Sequence, residues 1–512
     1  MFKFLKFKAE SRVVFSFVFL AAVLLITLRG FAGNVYPNGT GKQKIEVNKP
    51  PFETSMERGR YAQTVSMSLL HTFNVDAFSS FLMPDLGWYS GHYYAAFPPG
   101  VAFLSVPLFL LGNLIDLNVP FAFLTTLIAA FLTAIVVYRL GRRVGLPMYP
   151  ALFSAMVICL ASGFLSYSVT VSAHPFSALI VSLMLFTAIG IRSGEKNFMR
   201  YALIWLLFSS NLFIDYPNLL ICVPILFYAL LKSVSIRTVK DSYKLSLKMD
   251  SIYGFIGLLP FIGIFVFYNL SHYQKPIAFT NQYNLKALEK LGVSYDSENL
   301  SNAMFAKKAY SNRFKLSKLS TGAHALLLSS DRGLFVYSPI FFLAVIGFFT
   351  GRKKRGAIFF AILLVVILNI GVYGSFDDPW GGWAFGPRYL IPSLPFLSIL
   401  VGFGYQYLMK KDIVAKISIF ILLFYSVAVA LLGPLTTNAI PPEVEAKALG
   451  MSSNFAANLQ YLVDGMSSSF FYSVFLGKVI TPLWFYVALF VVIAIFFTAL
   501  VLLHHNSNQK NV

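Results

Sequence analysis

The feature that most constrains this chain is a succession of apolar runs close to the length of a bilayer crossing. A span needs roughly 20 mostly apolar residues. The runs at 13–27, 119–138, 148–167, 175–191, 201–213, 219–231, 252–270, 333–350, 357–373, 389–408, 413–432 and 479–503 approach or meet that length. With 57% of 512 residues hydrophobic and only 12% charged, the chain lacks the polar residues to cover a soluble body of this size. The predicted fold is therefore an all-α polytopic membrane protein of about 12 transmembrane helices. Residues 101–114 form a further apolar piece, too short for a span and suited to a re-entrant or interfacial path.

The basic residues orient these runs. With both termini on the cytoplasmic side, 23 of the 41 Lys and Arg fall inside and 16 of the 21 acids fall outside. The formal charge of +20 is then mostly the positive-inside bias facing an anionic leaflet, and a nucleic-acid partner is unnecessary. Arg29 interrupts the cleavage-like sequence that follows the first run, so that run reads as an uncleaved span.

The expected organisation is a cytoplasmic stretch 1–12, a first span 13–33 and a first outer loop 34–118 carrying interfacial helices. A bundle at 119–432 follows, with an outer loop at about 271–332. An outer loop at 433–478, a last span 479–503 and a cytoplasmic tail 504–512 complete it, in the plasma or inner membrane of a cell. Loops this long in a compact protein are usually functional or disordered. Cys159 and Cys222 both lie in apolar runs and offer neither a disulfide framework nor a zinc site.

The stretch 57–100 is polar where its neighbours are not. After Glu57, the residues Tyr61, Val65, Leu69 and Phe73 recur every fourth position, with Arg60 and Gln63 off that line, which predicts an amphipathic helix in the interface. Glu57 at its start suits either the helix N-terminus or proton transfer. Asp85 opens a run containing His92, Tyr93 and Tyr94, side chains that stack on sugars or sit at head-group level. Pro98, Pro99 and Gly100 make a rigid turn.

The late outer loop combines Asp377, Asp378, Trp380, Trp383, Arg388 and Tyr389. Arg388, at the mouth of a span, can clamp a phosphate in bidentate fashion or snorkel from the helix end. Glycines between the tryptophans allow close approach to backbone. Weaker signals are the basic cluster Lys307, Lys308, Arg313, Lys315 and Lys318, the neighbours Asp331 and Arg332, and His174 and Asp215 at span ends. No HExxH, GxSxG, Walker or Rossmann pattern stands in a fitting context.

Several of these segments resemble the first outer loop and following spans of the C-type (GT-C) membrane glycosyltransferases. They are ERGRYA at 57–62, Asp85, GHYYAAFPPG at 91–100 and the span ending YRLGRR at 138–143. The resemblance is to the branch of protein O-mannosyltransferases, aminoarabinose transferases and rhizobial core-sugar transferases. It covers about residues 50–230, and GPRYLIPSLPFL at 386–397 is similar to a later segment of the same proteins.

The resemblance implies transfer of a sugar from a polyprenyl-phosphate carrier to a glycolipid, glycan or protein acceptor on the outer face, with an acidic residue of the first loop as base. Two departures bear on this. Glu57-Arg58 stands where the family often has Asp-Glu, and Phe97 stands where the aminoarabinose branch has lysine before two prolines. The base is Glu57 or Asp85. Arg60 and Arg388 are the candidates for phosphate, with a divalent metal as the other route to stabilising a departing charge. Tyr61, His92, Tyr93, Tyr94, Trp380, Trp383, Tyr389, Asp377 and Asp378 are candidates for substrate contact. The rival class is a transporter or lipid flippase, which would place ionisable groups on broken helices near the midplane and often shows repeated halves. Here the carboxylates concentrate in loops and no repeat is evident.

Overall fold

The computed structural model describes residues 9–40, 51–83, 85–192, 195–239, 242–280 and 313–509. Lys307 and Lys308 of the basic cluster, Lys3, Lys6, Lys8 and Lys510 of the terminal charge pattern, and much of the 271–332 loop lie outside these residues. The described residues are mostly helical and include two short antiparallel hairpins.

Among the described residues, seven helices are long and apolar enough to cross a membrane. They are Glu10–Thr27, Asn118–Arg143, Met249–Tyr273, Gly356–Gly374, Arg388–Leu408, Ile413–Leu435 and Pro482–Ser507. Six shorter apolar helices of 10–17 residues accompany them. This is a multi-pass membrane protein, built from long helices and short or interrupted ones rather than from twelve of uniform length.

The short helices have local causes. Met148–Leu160 ends where Ser162 folds its hydroxyl back onto the Ile158 carbonyl, and the chain resumes as Phe164–Ser168. Phe198–Ile214 stops at Asp215, whose extended backbone precedes Tyr216 and Pro217, and Asn218–Ile221 then begins the return. The chain makes a tight turn there.

Residues Phe342–Gly374 are helical throughout, yet the rings of Phe348 and Phe359 are 6.5 Å apart. In a straight helix that separation would be roughly 16 Å. The chain therefore reverses within the basic segment around Arg352, as the two apolar runs at 333–350 and 357–373 imply. The helix Leu394–Leu408 packs closely against this hairpin. Gly347 faces the Leu400 carbonyl and Gly404 faces that of Leu343, so a Cβ at either would collide.

The first long loop is folded. Helix Ser55–Val65 begins at the predicted place, but every residue from Glu57 to Val65 is buried by protein. Tyr61 packs against Phe52, Phe109 and Phe123 on one side, and on another the Arg60 guanidinium lies over the Phe97 ring at 4.9 Å. The helix is thus enclosed rather than laid amphipathically in an interface. It ends in a π-turn at Ser66–Leu70, short of Phe73, because His71 takes a left-handed conformation at φ 52°.

A hairpin not foreseen from the sequence follows, Leu86–Tyr89 paired with His92–Ala95. Its two-residue turn, Ser90 and Gly91, has φ of 49° and 85°, the primed geometry that suits hairpins. The signal was legible: Ser-Gly between two aromatic runs is a hairpin pattern. Pro99 then caps helix Gly100–Leu114.

Candidate active site

The two candidate bases both attach to the first turn of helix Ser55–Val65. Thr54 and Glu57 form a capping box, in which the Thr54 backbone N–H donates to Glu57 Oε2 at 3.2 Å. The other oxygen, Oε1, accepts from Asn438 Nδ2 at 3.4 Å and lies 4.0 Å from Arg29 Nη1. Asp85 reaches the same turn from outside, accepting from Ser55 Oγ at 2.5 Å, and it is only half-buried. The helix-capping role considered for Glu57 is therefore real, and it holds the carboxylate in one orientation.

Arg58 acts as a brace. Its guanidinium donates to the carbonyls of Phe52 at 3.1 Å, Glu53 at 3.0 Å and Met83 at 2.6 Å. These bonds tie the start of the helix to the segment leading into Asp85.

Behind Glu57 stands a buried ionic group that sequence reasoning missed. Arg29 is fully enclosed, with Nη1 3.3 Å from Glu53 Oε2, Nη2 donating to Asn438 Oδ1 at 3.3 Å and Nε to the Pro434 carbonyl at 3.3 Å. One guanidinium thus serves two carboxylates. Burial pushes the Glu53 carboxyl from its ordinary 4.5 up to about 7; Arg29 opposes that rise and Glu57 adds to it. A charged residue at the end of an apolar run was the available signal for Arg29. Nothing in the sequence distinguished Asn438.

The second half of the site gathers Arg60, Asp215, Tyr373, Arg388 and Tyr389. Tyr373 donates to Asp215 Oδ2 at 3.4 Å and stacks on Tyr389 with ring centroids 4.1 Å apart. The Arg388 guanidinium lies 5.2 Å from the Tyr389 ring centre. Burial lowers the Arg60 pKa to about 10, with Asp215 the main opposing charge and Arg388 a like charge nearby. Burial also raises Asp215 to about 6, against the pull of Arg60, the Tyr373 hydroxyl and Arg388. Two guanidiniums therefore converge around Asp215, with Asp378 also within electrostatic reach of Arg388. The region is enclosed, and its two guanidiniums stand among carboxylates.

The loop bearing Arg388 is held by Arg332. That guanidinium is fully buried and donates to the carbonyls of Asp331 at 2.7 Å, Trp380 at 3.2 Å, Gly382 at 3.1 Å and Ile440 at 2.7 Å. The Asp331 carboxylate accepts from the Glu443 backbone N–H at 3.2 Å. Asp331 and Arg332 are thus a brace between two loops rather than a local side-chain pair. Gly381 has φ 75°, and a Cβ there would fall 2.6 Å from Arg388 Nε. The close approach its glycine permits is to Arg388.

Other candidates stand apart from this group. Tyr61 is fully buried and its hydroxyl donates to the Val35 carbonyl at 2.8 Å, a packing position. His92 is exposed and its Nδ1 is 2.7 Å from Asp76 Oδ2, while the Tyr93 N–H donates to Asp76 Oδ1 at 2.6 Å. Tyr94 is buried against Tyr273 and His272. Asp377 pairs with Lys318 at 2.5 Å on the surface, and Trp383 Nε1 donates to Glu445 Oε2 at 2.7 Å. Trp380 is half-buried, and its carbonyl is one of those held by Arg332. Among the described residues no three His, Cys, Asp or Glu side chains converge in a way that could hold a metal ion. The cationic groups available here are arginines.

No family model matches the chain, and no curated protein matches it in sequence. Solved structures do match. ArnT from Cupriavidus metallidurans bound to undecaprenyl phosphate superposes with a TM-score of 0.51 and 13% identity, over 98% of this chain and 79% of that one. The same protein in the apo state gives 0.47 and 15%, over 94% and 77%. The archaeal oligosaccharyltransferase AglB from Archaeoglobus fulgidus, in complex with an inhibitory peptide and a dolichol-phosphate, gives 0.44 and 10%, over 85% and 57%. The first of these superpositions spans nearly the whole chain. The chain shares the fold of ArnT from Cupriavidus metallidurans.

Proposed function

We propose that this protein transfers a sugar from a polyprenyl-phosphate donor to a glycolipid, glycan or protein acceptor at the outer face of the cell membrane. The observation that carries the reading is the pairing of two features. Arg60 and Arg388 meet at Met56 beside Asp215, and the two carboxylates Glu57 and Asp85 are fixed at the start of the helix that bears Arg60. The fold shared with a protein bound to undecaprenyl phosphate supports it.

In this reading the acceptor hydroxyl attacks the anomeric carbon as its proton passes to a carboxylate. The bond to the carrier phosphate breaks, and the phosphate leaves with the electron pair. Arg60 and Arg388 offset the charge it gains, with no reorganisation, because packing already holds them. One attacking oxygen and one base make inversion at the anomeric carbon the outcome.

We assign proton acceptance first to Glu57, which lies within electrostatic reach of Arg60 and of Tyr167 beside Arg388. Asp85 is the alternative because it is the less enclosed of the two. A positioned base typically contributes 10²–10⁴-fold.

The test is mass spectrometry of envelope glycolipids and glycoproteins from cells with and without the gene, followed by complementation. A sugar lost on deletion and restored by wild type, but not by the double variant Glu57→Gln, Asp85→Asn, supports the reading. Full restoration by that double variant would overturn the base assignment. An unchanged glycan profile together with sugar uptake by proteoliposomes would favour a transporter.

A further inference from the structure

His174 begins the helix His174–Ile189, sixteen residues long, and is 6% exposed. Its ring meets Tyr167 edge-on with centroids 5.2 Å apart. Tyr167 is itself fixed, because its hydroxyl donates to the Phe385 carbonyl at 3.2 Å and accepts from the Phe385 N–H at 3.0 Å. Tyr167, Phe385, Pro387 and Arg388 line one small cavity. His174 lies within electrostatic reach of both Arg388 and Arg60.

Among the described residues neither ring nitrogen of His174 has a hydrogen-bond partner. A buried polar group without a partner is costly, so the rare cases call for a reason. The Nε atoms of Arg60 and Arg388 and the hydroxyls of Ser166 and Thr170 are likewise buried and unpartnered. Arg60 and Arg388 meet at Met56, whose carbonyl accepts from Arg60 Nη1 at 3.4 Å and whose sulfur lies 2.8 Å from Arg388 Nη1, and Tyr167 links His174 to the cavity that Arg388 lines. The helix N-terminus adds its partial positive charge. Two guanidiniums and that dipole favour an anion as the missing partner, with Asp215 and Asp378 as the nearby opposing charges.

We propose that His174 is a positioning residue for the anionic group of the substrate, donating a ring N–H to a phosphate oxygen held between Arg60 and Arg388. The inference rests on the proposed transfer from a phosphate-linked lipid. It adds a neutral, directional donor to two charged ones. The arginines supply charge, and the imidazole fixes which oxygen faces the acceptor.

The test compares binding of undecaprenyl phosphate and of undecaprenol to the full chain in nanodiscs, for wild type, His174→Phe and His174→Gln. Phenylalanine keeps the ring contact with Tyr167 and removes the donor, whereas glutamine keeps a donor. Loss of one bond to a charged group predicts a weakening of about 10- to 100-fold for undecaprenyl phosphate in His174→Phe. Binding of undecaprenol should be unchanged, and His174→Gln should recover part of the loss. In turnover assays the donor KM should rise more than kcat falls.

Equal phosphate affinity in His174→Phe and wild type, with wild type still preferring the phosphate to the alcohol, would overturn the role of His174 alone. A wild type that binds both lipids equally would overturn the donor reading beneath it. Inorganic phosphate that displaces the lipid at equal concentration would reassign the site to a free anion and overturn the lipid source.

Discussion

Glu53→Gln tests the buried ionic group through the pH dependence of stability. The Glu53 carboxyl is held at about 7 in the fold against an ordinary 4.5, so keeping it ionised costs the folded protein on the order of 3 kcal/mol. Between those two values the unfolded chain has released a proton that the folded chain retains. Stability therefore falls as pH rises from about 4.5 to about 7 and levels off above. Asp215, raised from 3.8 to about 6, contributes in the same direction over a lower window.

Glutamine at 53 removes the titration while leaving Arg29 an oxygen acceptor. The variant should lose its share of the slope from pH 4.5 to 7, Asp215→Asn should lose its own share below about 6, and only Glu53 contributes between 6 and 7. For a chain of this length about 3 kcal/mol corresponds to roughly 3 °C in Tm. The assay is thermal unfolding in detergent at half-unit steps from pH 4.5 to 8.5. Parallel curves for wild type and Glu53→Gln between pH 6 and 7 would refute the reasoning.

Three further outcomes are expected. Arg332→Met leaves the Trp380, Gly382 and Ile440 carbonyls without their donor, so a destabilisation of about 3–5 kcal/mol in chemical denaturation is expected. Gly381→Ala places a Cβ against Arg388 Nε at a strained φ; transfer should fall at least about tenfold while size-exclusion profile and helicity stay normal. Arg388→Lys keeps charge but loses the planar fork, and a rise of about tenfold or more in donor KM is expected from steady-state kinetics. Unchanged kinetics in Arg388→Lys would mean that Arg388 does not meet the phosphate.

How far the site was legible depended on whether a residue's partner lay nearby in sequence. Glu57 and Thr54 announce a helix start within four residues, and the capping box is there. Arg60, Arg388 and Tyr389 were visible as charged or aromatic residues beside apolar runs, and they converge. Tyr61 and Tyr94 were visible for the same reason but turned inward, because an isolated tyrosine pattern does not say which face a loop presents. Asp215 and His174 drew little weight as lone residues at span ends, yet both border the arginines once the helices pack.

The sequence by itself determined that this chain crosses a membrane repeatedly, because burying backbone in lipid requires long apolar helices whatever the tertiary arrangement. Only the tertiary structure decided which charges share a site. Arg29 and Asn438 are some four hundred residues apart yet hydrogen-bonded, and Arg332 joins loops fifty and more than one hundred positions away. Those pairings exist because a buried guanidinium must find acceptors wherever packing brings them. No local pattern encodes that choice.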